Sequence, residues 1–344
     1  MIRKEKTLRP EYGRRYIILI TAFLVILTVS FGLGRYTVSP PDVIRILLSQ
    51  IVEVPKTWLP AAEASVINIR FPRVVSAAMI GAALSAAGAA YQGMFRNPMV
   101  SPDILGASSG AGFGAALAIL LSLGYWGISI MAFVFGLMAV FFAYFISRIS
   151  KGNSILSMVL AGMVVSALCS AATSFVKLVA DTDEVLPAIT YWLMGSLASV
   201  RMSDMYFAMI PVALGMIPLI LLRWRINLLT IGEEEARSMG INTTRLRIVV
   251  ILSATLLTAA SVSISGMIGW VGLVIPHFCR MIFGYDYRRL LPASIFFGAA
   301  FLILVDDAAR LLATSEIPIG ILTSFIGAPI FVFLLVRGGL NDAD

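Results

Sequence analysis

Apolar positions run along this chain in blocks too long for a soluble core. Ten stretches, roughly 16–34, 66–90, 103–122, 124–147, 154–178, 205–223, 245–264, 268–284, 292–313 and 318–337, hold enough apolar residues for a spanning helix, which needs about 20. Only a tight turn near Gly124 separates the third from the fourth. The eighth is short and interrupted by Gly269, Gly272 and Pro276. The pattern predicts an all-α polytopic transmembrane bundle of about ten helices, formed by residues 1–344 as a single domain. Composition agrees: 59% of residues are hydrophobic and 13% charged, against about 25% charged in soluble proteins. A soluble globule and a disordered chain are both excluded.

The formal net charge is +7. In a soluble protein that excess would point to nucleic acid; here it records topology. With the basic tail 1–15 inside and ten alternating helices, 18 of the 26 Lys and Arg residues fall on the inner side, as the positive-inside bias requires. Arg3, Lys4 and Lys151 count inward, and Arg35 outward. Both termini are then cytoplasmic, the partner is the lipid bilayer, and no nucleic acid is implied. The tail leads into a full-length apolar run with no convincing cleavage site, so it reads as a retained first helix. Cys169 and Cys279 sit in apolar stretches as small hydrophobes. The single histidine, His277, argues against a multi-histidine metal centre.

Small residues recur at helical spacing: Ala77, Gly81, Ser85 and Ala89 in the second span, and Gly106, Gly110 and Gly114 in the third. Such stripes let backbones approach closely, and they read first as bundle packing. A faint inverted repeat pairs Arg70-Phe-Pro-Arg73 with Arg245-Leu-Arg247. Each opens a Ser/Ala/Gly-rich span followed by a Gly/Pro-broken one, an arrangement transporters often use.

The longest polar internal segment is RWRINLLTIGEEEARSMGINTTRLR, 223–247. Thr230 and Glu233 have capping-box spacing. Glu233, Glu234 and Glu235 fall in a first turn that suits acids. Gly240 offers a stop, and Asn242, Thr243 or Thr244 can cap the next span. The spacing predicts a short helix across the cytoplasmic face within 227–244, with Ala236 and Met239 able to enter a groove.

This segment resembles the coupling segment of permeases of the FecCD/BtuCD-type ABC importers, which carry iron–siderophore complexes, haem and vitamin B12. Other stretches resemble the same family in order: 70–115 (RFPRVVSAAMIG…), YWLMGSLA (191–198), GWVGLVIPHFCRMIFGYDYRRLLP (269–292), LVDDAARLL (304–312) and EIPIGILTSFIGAPIFVFLL (316–335). The resemblance implies ten spans, a pathway formed with a second permease copy as a homodimer, an ABC ATPase subunit on the cytoplasmic face and a substrate-binding protein outside. It assigns ATPase coupling to Gly232, Glu233, Glu234, Ala236, Met239 and Gly240, and binding-protein docking to Arg70, Arg73 and Arg310. His277 and Arg280 on the broken eighth span become structural or gating residues. It also implies a bacterial or archaeal cytoplasmic (inner) membrane.

The residues bear on these implications independently. A P-loop needs Gly-Lys-Ser/Thr, and none of Lys4, Lys6, Lys56, Lys151 and Lys177 follows a glycine. The chain is therefore expected to be no enzyme and to hold no cofactor, with ATP and Mg bound by the partner. Guanidinium forks at outer helix ends suit carboxylates, and Asp306 or Asp307 has helical spacing to Arg310. The resemblance makes ferric siderophore the expected cargo, with haem or cobalamin next. An ion-coupled carrier is the alternative, and it would need acids at mid-membrane.

Overall fold

The computed structural model describes residues 5–34, 36–149 and 154–341, with side chains between Tyr12 and Phe333. Arg3, Lys4, Arg35 and Lys151, which enter the charge asymmetry, lie outside the described residues, as do the side chains of Lys6, Arg9 and Arg337.

The described residues form an all-helical bundle: α1 (Glu5–Gly32), α2 (Pro40–Leu48), α3 (Pro60–Phe95), α4 (Ala107–Leu120), α5 (Gly124–Ile149), α6 (Ser154–Val179), α7 (Val185–Leu193), α8 (Met202–Ile231), α9 (Glu233–Ser238), α10 (Thr243–Ser265), α11 (Val271–Phe283), α12 (Tyr287–Leu311) and α13 (Ile319–Asn341). Seven helices are long and apolar enough to span a membrane, and α4, α11 and the described part of α13 are shorter apolar helices. Each of the ten expected spans has its helix. A bilayer leaves no water for backbone groups, so helices that satisfy their own N–H and C=O groups are the natural solution. The expected third span begins with a 3₁₀ turn, Pro102–Leu105. The sixth runs eight residues beyond its expected end, to Ile231.

α3 sits at the centre against α8, α10, α11 and α12, while α4, α5 and α6 form a neighbouring group joined through α10. α3 and α10, the helices that head the two halves of the suggested repeat, are the two most enclosed spans. The small-residue stripes explain the close approach. A methyl group added at Gly81 would overlap the Gly298 carbonyl of α12, and one at Gly88 the Gly272 carbonyl of α11. Gly110 and Gly114 face the α5 backbone at Phe135 and Met131. Both stripes are therefore used for contacts within the chain.

At the outer mouth, three segments share backbone bonds. The Ser196 N–H donates to Ser265 O (2.7 Å), and the Ile319 N–H to Gly195 O (2.8 Å). The end of α7, the 266–270 loop and the start of α13 thus form one unit. At the inner side, Asn227 of α8 donates to Asp286 (2.7 Å) and accepts from the Tyr287 N–H (2.7 Å). This fastens α8 to the start of α12.

Candidate functional sites

The inner segment is built by two glycines. α8 continues helically through Thr230, whose hydroxyl donates to the Asn227 carbonyl (2.6 Å). Thr230 therefore does not cap the next helix, as the T-x-x-E spacing suggested, because the preceding helix claims it. The turn falls at Gly232, where a side chain would collide with the Glu235 carboxylate folded back over it. α9 ends at Gly240, with φ +79°. The Ile241 N–H reaches Ala236 O (3.1 Å), which closes the last turn in the manner of a Schellman cap. Asn242 caps α10 by accepting the Arg245 N–H (2.9 Å).

Glu233 is clasped from below. It accepts from Arg237 (2.7 Å), Arg247 (3.1 Å) and the Thr243 hydroxyl (3.3 Å). Partial burial works against the charged form, but the hydrogen bond and charge of Arg247, with Arg237 and Thr243, outweigh it and hold the carboxyl below its usual range. Glu234, Glu235, Ser238, Met239 and Gly240 are exposed. Ala236 is not: it is buried within the chain itself. The expectation that it enters a partner's groove is corrected, because the helix face that carries it packs on the permease.

The outer arginines lie at the expected end of the bundle. All three are buried, at 3%, 5% and 6% exposure for Arg70, Arg73 and Arg310, and the Arg310 pairing that its helical spacing to Asp306 and Asp307 allows is made. Arg70 donates to the carbonyls of Phe31 (2.8 Å), Gly32 (3.0 Å) and Tyr36. Arg73 grips Asp306 (Nε–H to Oδ1, 2.9 Å) and reaches Glu316 (2.9 Å). Arg310 binds Asp307, Ser30 Oγ (2.8 Å) and Leu33 O (3.1 Å). The reason is charge pairing: Asp306, Asp307 and Glu316 supply carboxylates in a place where an unpaired guanidinium would be costly. As they stand, these side chains fasten the outer ends of α1, α3 and α12 and the 312–318 loop.

On α11, Arg280 is buried and donates to Gln92 Oε1 (2.6 Å) and Pro98 O (3.4 Å). The same Gln92 donates to Val100 O (3.1 Å) and Gly272 O (3.3 Å). Gln92, which sequence reasoning passed over, is thus the knot tying α3, the 97–100 loop and α11. Its one signal is a carboxamide in the small and apolar stretch 74–95. His277 is half-buried on the same helix, one turn from Arg280.

α6 exposes large apolar side chains such as Leu168, Phe175 and Leu178, and beside them a strip of small ones. α5 and α8 expose large apolar side chains such as Phe141, Phe145, Ile210 and Leu221. On α6, Ala167, Ser170, Ala171 and Ser174 are exposed along one side, beside Met163.

These features lie on a chain whose residues 20–337 match the model of the FecCD transport family. The chain belongs to that family. It is 39% identical to the molybdate import system permease protein MolB of Haemophilus influenzae, over 97% of this chain and 100% of that one. It is 43% identical to an iron chelatin transport system permease of Helicobacter pylori, over 79% and 82% of the two chains. A solved inward-facing structure, assigned to the metal-chelate type of ABC transporter, superposes with a TM-score of 0.84 at 37% identity, over 94% of this chain and 99% of that one. This FecCD-family chain is a multi-pass permease subunit of an ABC importer and not itself an enzyme. Membership implies ATPase and binding-protein partners, and it favours the ABC permease over the ion-coupled carrier.

Proposed function

We propose that two copies of this permease form the pathway for a ferric siderophore, with α9 as the element that receives the ATPase subunit. The observation that carries the pathway reading is the α6 face. Small and hydroxyl-bearing side chains let a second copy approach closely. They also offer a bulky chelate a wall with few fixed contacts. The iron chelatin relative and the metal-chelate type structure support the cargo class. For coupling, the support is the pinned underside of α9 and its exposed Glu234, Glu235 and Met239. Force applied there passes through Glu233 to Arg247 on α10.

The test is uptake into vesicles holding the permease, its ATPase and its binding protein. ATP-dependent entry of radiolabelled ferric siderophore, not displaced by molybdate, is the expected result. Entry of molybdate in its place would favour the second reading, which the full-length similarity to the molybdate permease supports. Haem or cobalamin entry would keep the chelate class and change the cargo. For the dimer, Ser174→Cys in a Cys169→Ser background should cross-link two copies in the membrane; monomer alone would count against the α6 face.

A further inference from the structure

Between α5 and α10 lies an apolar groove of about 490 Å³, walled by Leu137, Phe141 and Tyr144 on one side and Ile248, Leu252 and Leu256 on the other. The helices meet at Gly136, where an added methyl would sit 3.3 Å from Ala259 Cβ. Inward of that contact the groove is open. The hydroxyl of Thr255, which also lines the groove, is spent on the Ile251 carbonyl (2.7 Å). The lining therefore suits hydrocarbon.

The cytoplasmic end is cationic on both walls. One turn beyond Tyr144, the Arg148 Nε–H donates to the Tyr144 hydroxyl (2.9 Å), and its guanidinium lies 5.4 Å from the ring centre. Arg245 precedes Ile248, Leu252 and Leu256 at spacings of three, seven and eleven, on the same helix face. Both arginines are exposed. Among the described residues neither pairs with a carboxylate, and the nearby Glu233 is engaged by Arg237 and Arg247.

We infer that this groove is a binding site for an anionic phospholipid of the inner leaflet, with an acyl chain along the Leu137–Leu256 walls and the phosphate within reach of Arg148 and Arg245. The apolar walls take the chain because burying methylene groups is favourable. The guanidinium groups take the phosphate by charge-assisted hydrogen bonds. A zwitterionic lipid would satisfy the walls and carry a competing cation to the arginines.

The purified full-length permease, in mixed phosphatidylglycerol–phosphatidylcholine nanodiscs, tests this by native mass spectrometry of retained lipid. Wild type is expected to retain phosphatidylglycerol preferentially. Arg148→Gln with Arg245→Gln should lose that preference by on the order of twentyfold, since each basic residue near an anionic surface contributes about fivefold. Leu252→Trp, at a position facing outward, fills the groove and should reduce retention of both lipids, with thermal unfolding confirming the fold. Unchanged phosphatidylglycerol retention in either variant would overturn the site. Binding of soluble glycerol phosphate as tightly as the lipid would also overturn it, because the groove would then play no part.

Discussion

The outer and inner ends of this permease each carry a cluster of arginines and acids, and the two clusters do opposite things. Outside, Arg70, Arg73, Arg310, Asp306, Asp307 and Glu316 are spent on one another and on backbone carbonyls, and five of the six are buried. Inside, one acid of the Glu233–Glu235 run is clasped and the other two are displayed to solvent. Equal numbers of opposite charge in a low-dielectric setting collapse onto each other. A helix turn that faces water keeps part of its charge for a partner. Similar residue types thus build a fastening at one end and a handle at the other.

Four measurements can break or sharpen that contrast. The largest effect is expected from Asp306→Ala, which strips the main partner from buried Arg73. Removing one member of a buried pair costs about 3–5 kcal/mol, and thermal unfolding in detergent should fall accordingly. An unchanged transition would mean that the outer arginines are not held as described. Next, Gly/Ser replacement of 233–240 should cost the fold less than about 1 kcal/mol while weakening ATPase capture at least about tenfold, or about 1.4 kcal/mol; full capture in a pull-down would remove α9 from the interface. Glu316→Gln, at the half-exposed partner of Arg73, should lower stability by no more than about 1 kcal/mol, which ranks it below Asp306.

The smallest effect concerns pH. Glu233 is held below its ordinary value near 4.5. Its clasp is therefore fully present above that value and is lost as pH falls through the lowered folded-state value. Hydrogen-exchange protection at 233–241, relative to the intrinsic rate at each pH, should fall below about pH 4.5 in wild type by a few tenths of a kcal/mol. In Glu233→Gln the protection should be low and flat with pH. Equal profiles would separate Glu233 from the positioning of α9.

Much of this was legible from residue order. Spans announce themselves by length and hydropathy, so all ten were readable. The caps at Gly240 and Asn242 are local chemistry and were readable too. What escaped depends on distance along the chain. Arg73 meets Asp306 and Glu316 more than 230 residues away, so nothing local distinguishes a buried fork from an exposed one. Thr230 misled because a capping hydroxyl and a helix-interior hydroxyl share one spacing. Helix α2 combines an amphipathic pattern with a Ser39 cap and a Pro40-Pro41 start, and it was passed over because it is too short to span. Gln92 escaped because a lone carboxamide reveals nothing until Arg280, Val100 and Gly272 surround it.

The glycine contacts of α3 have a mechanical consequence. At Gly81 and Gly88 no side chain separates this helix from the α12 and α11 backbones, so there is no soft layer to shear. A rotation about its own axis would drive a methyl-bearing neighbour into a carbonyl, and a slide would do the same. The three helices are thereby coupled backbone to backbone, and the irregular segments that adjoin them are the 266–270 turn and the 97–102 loop.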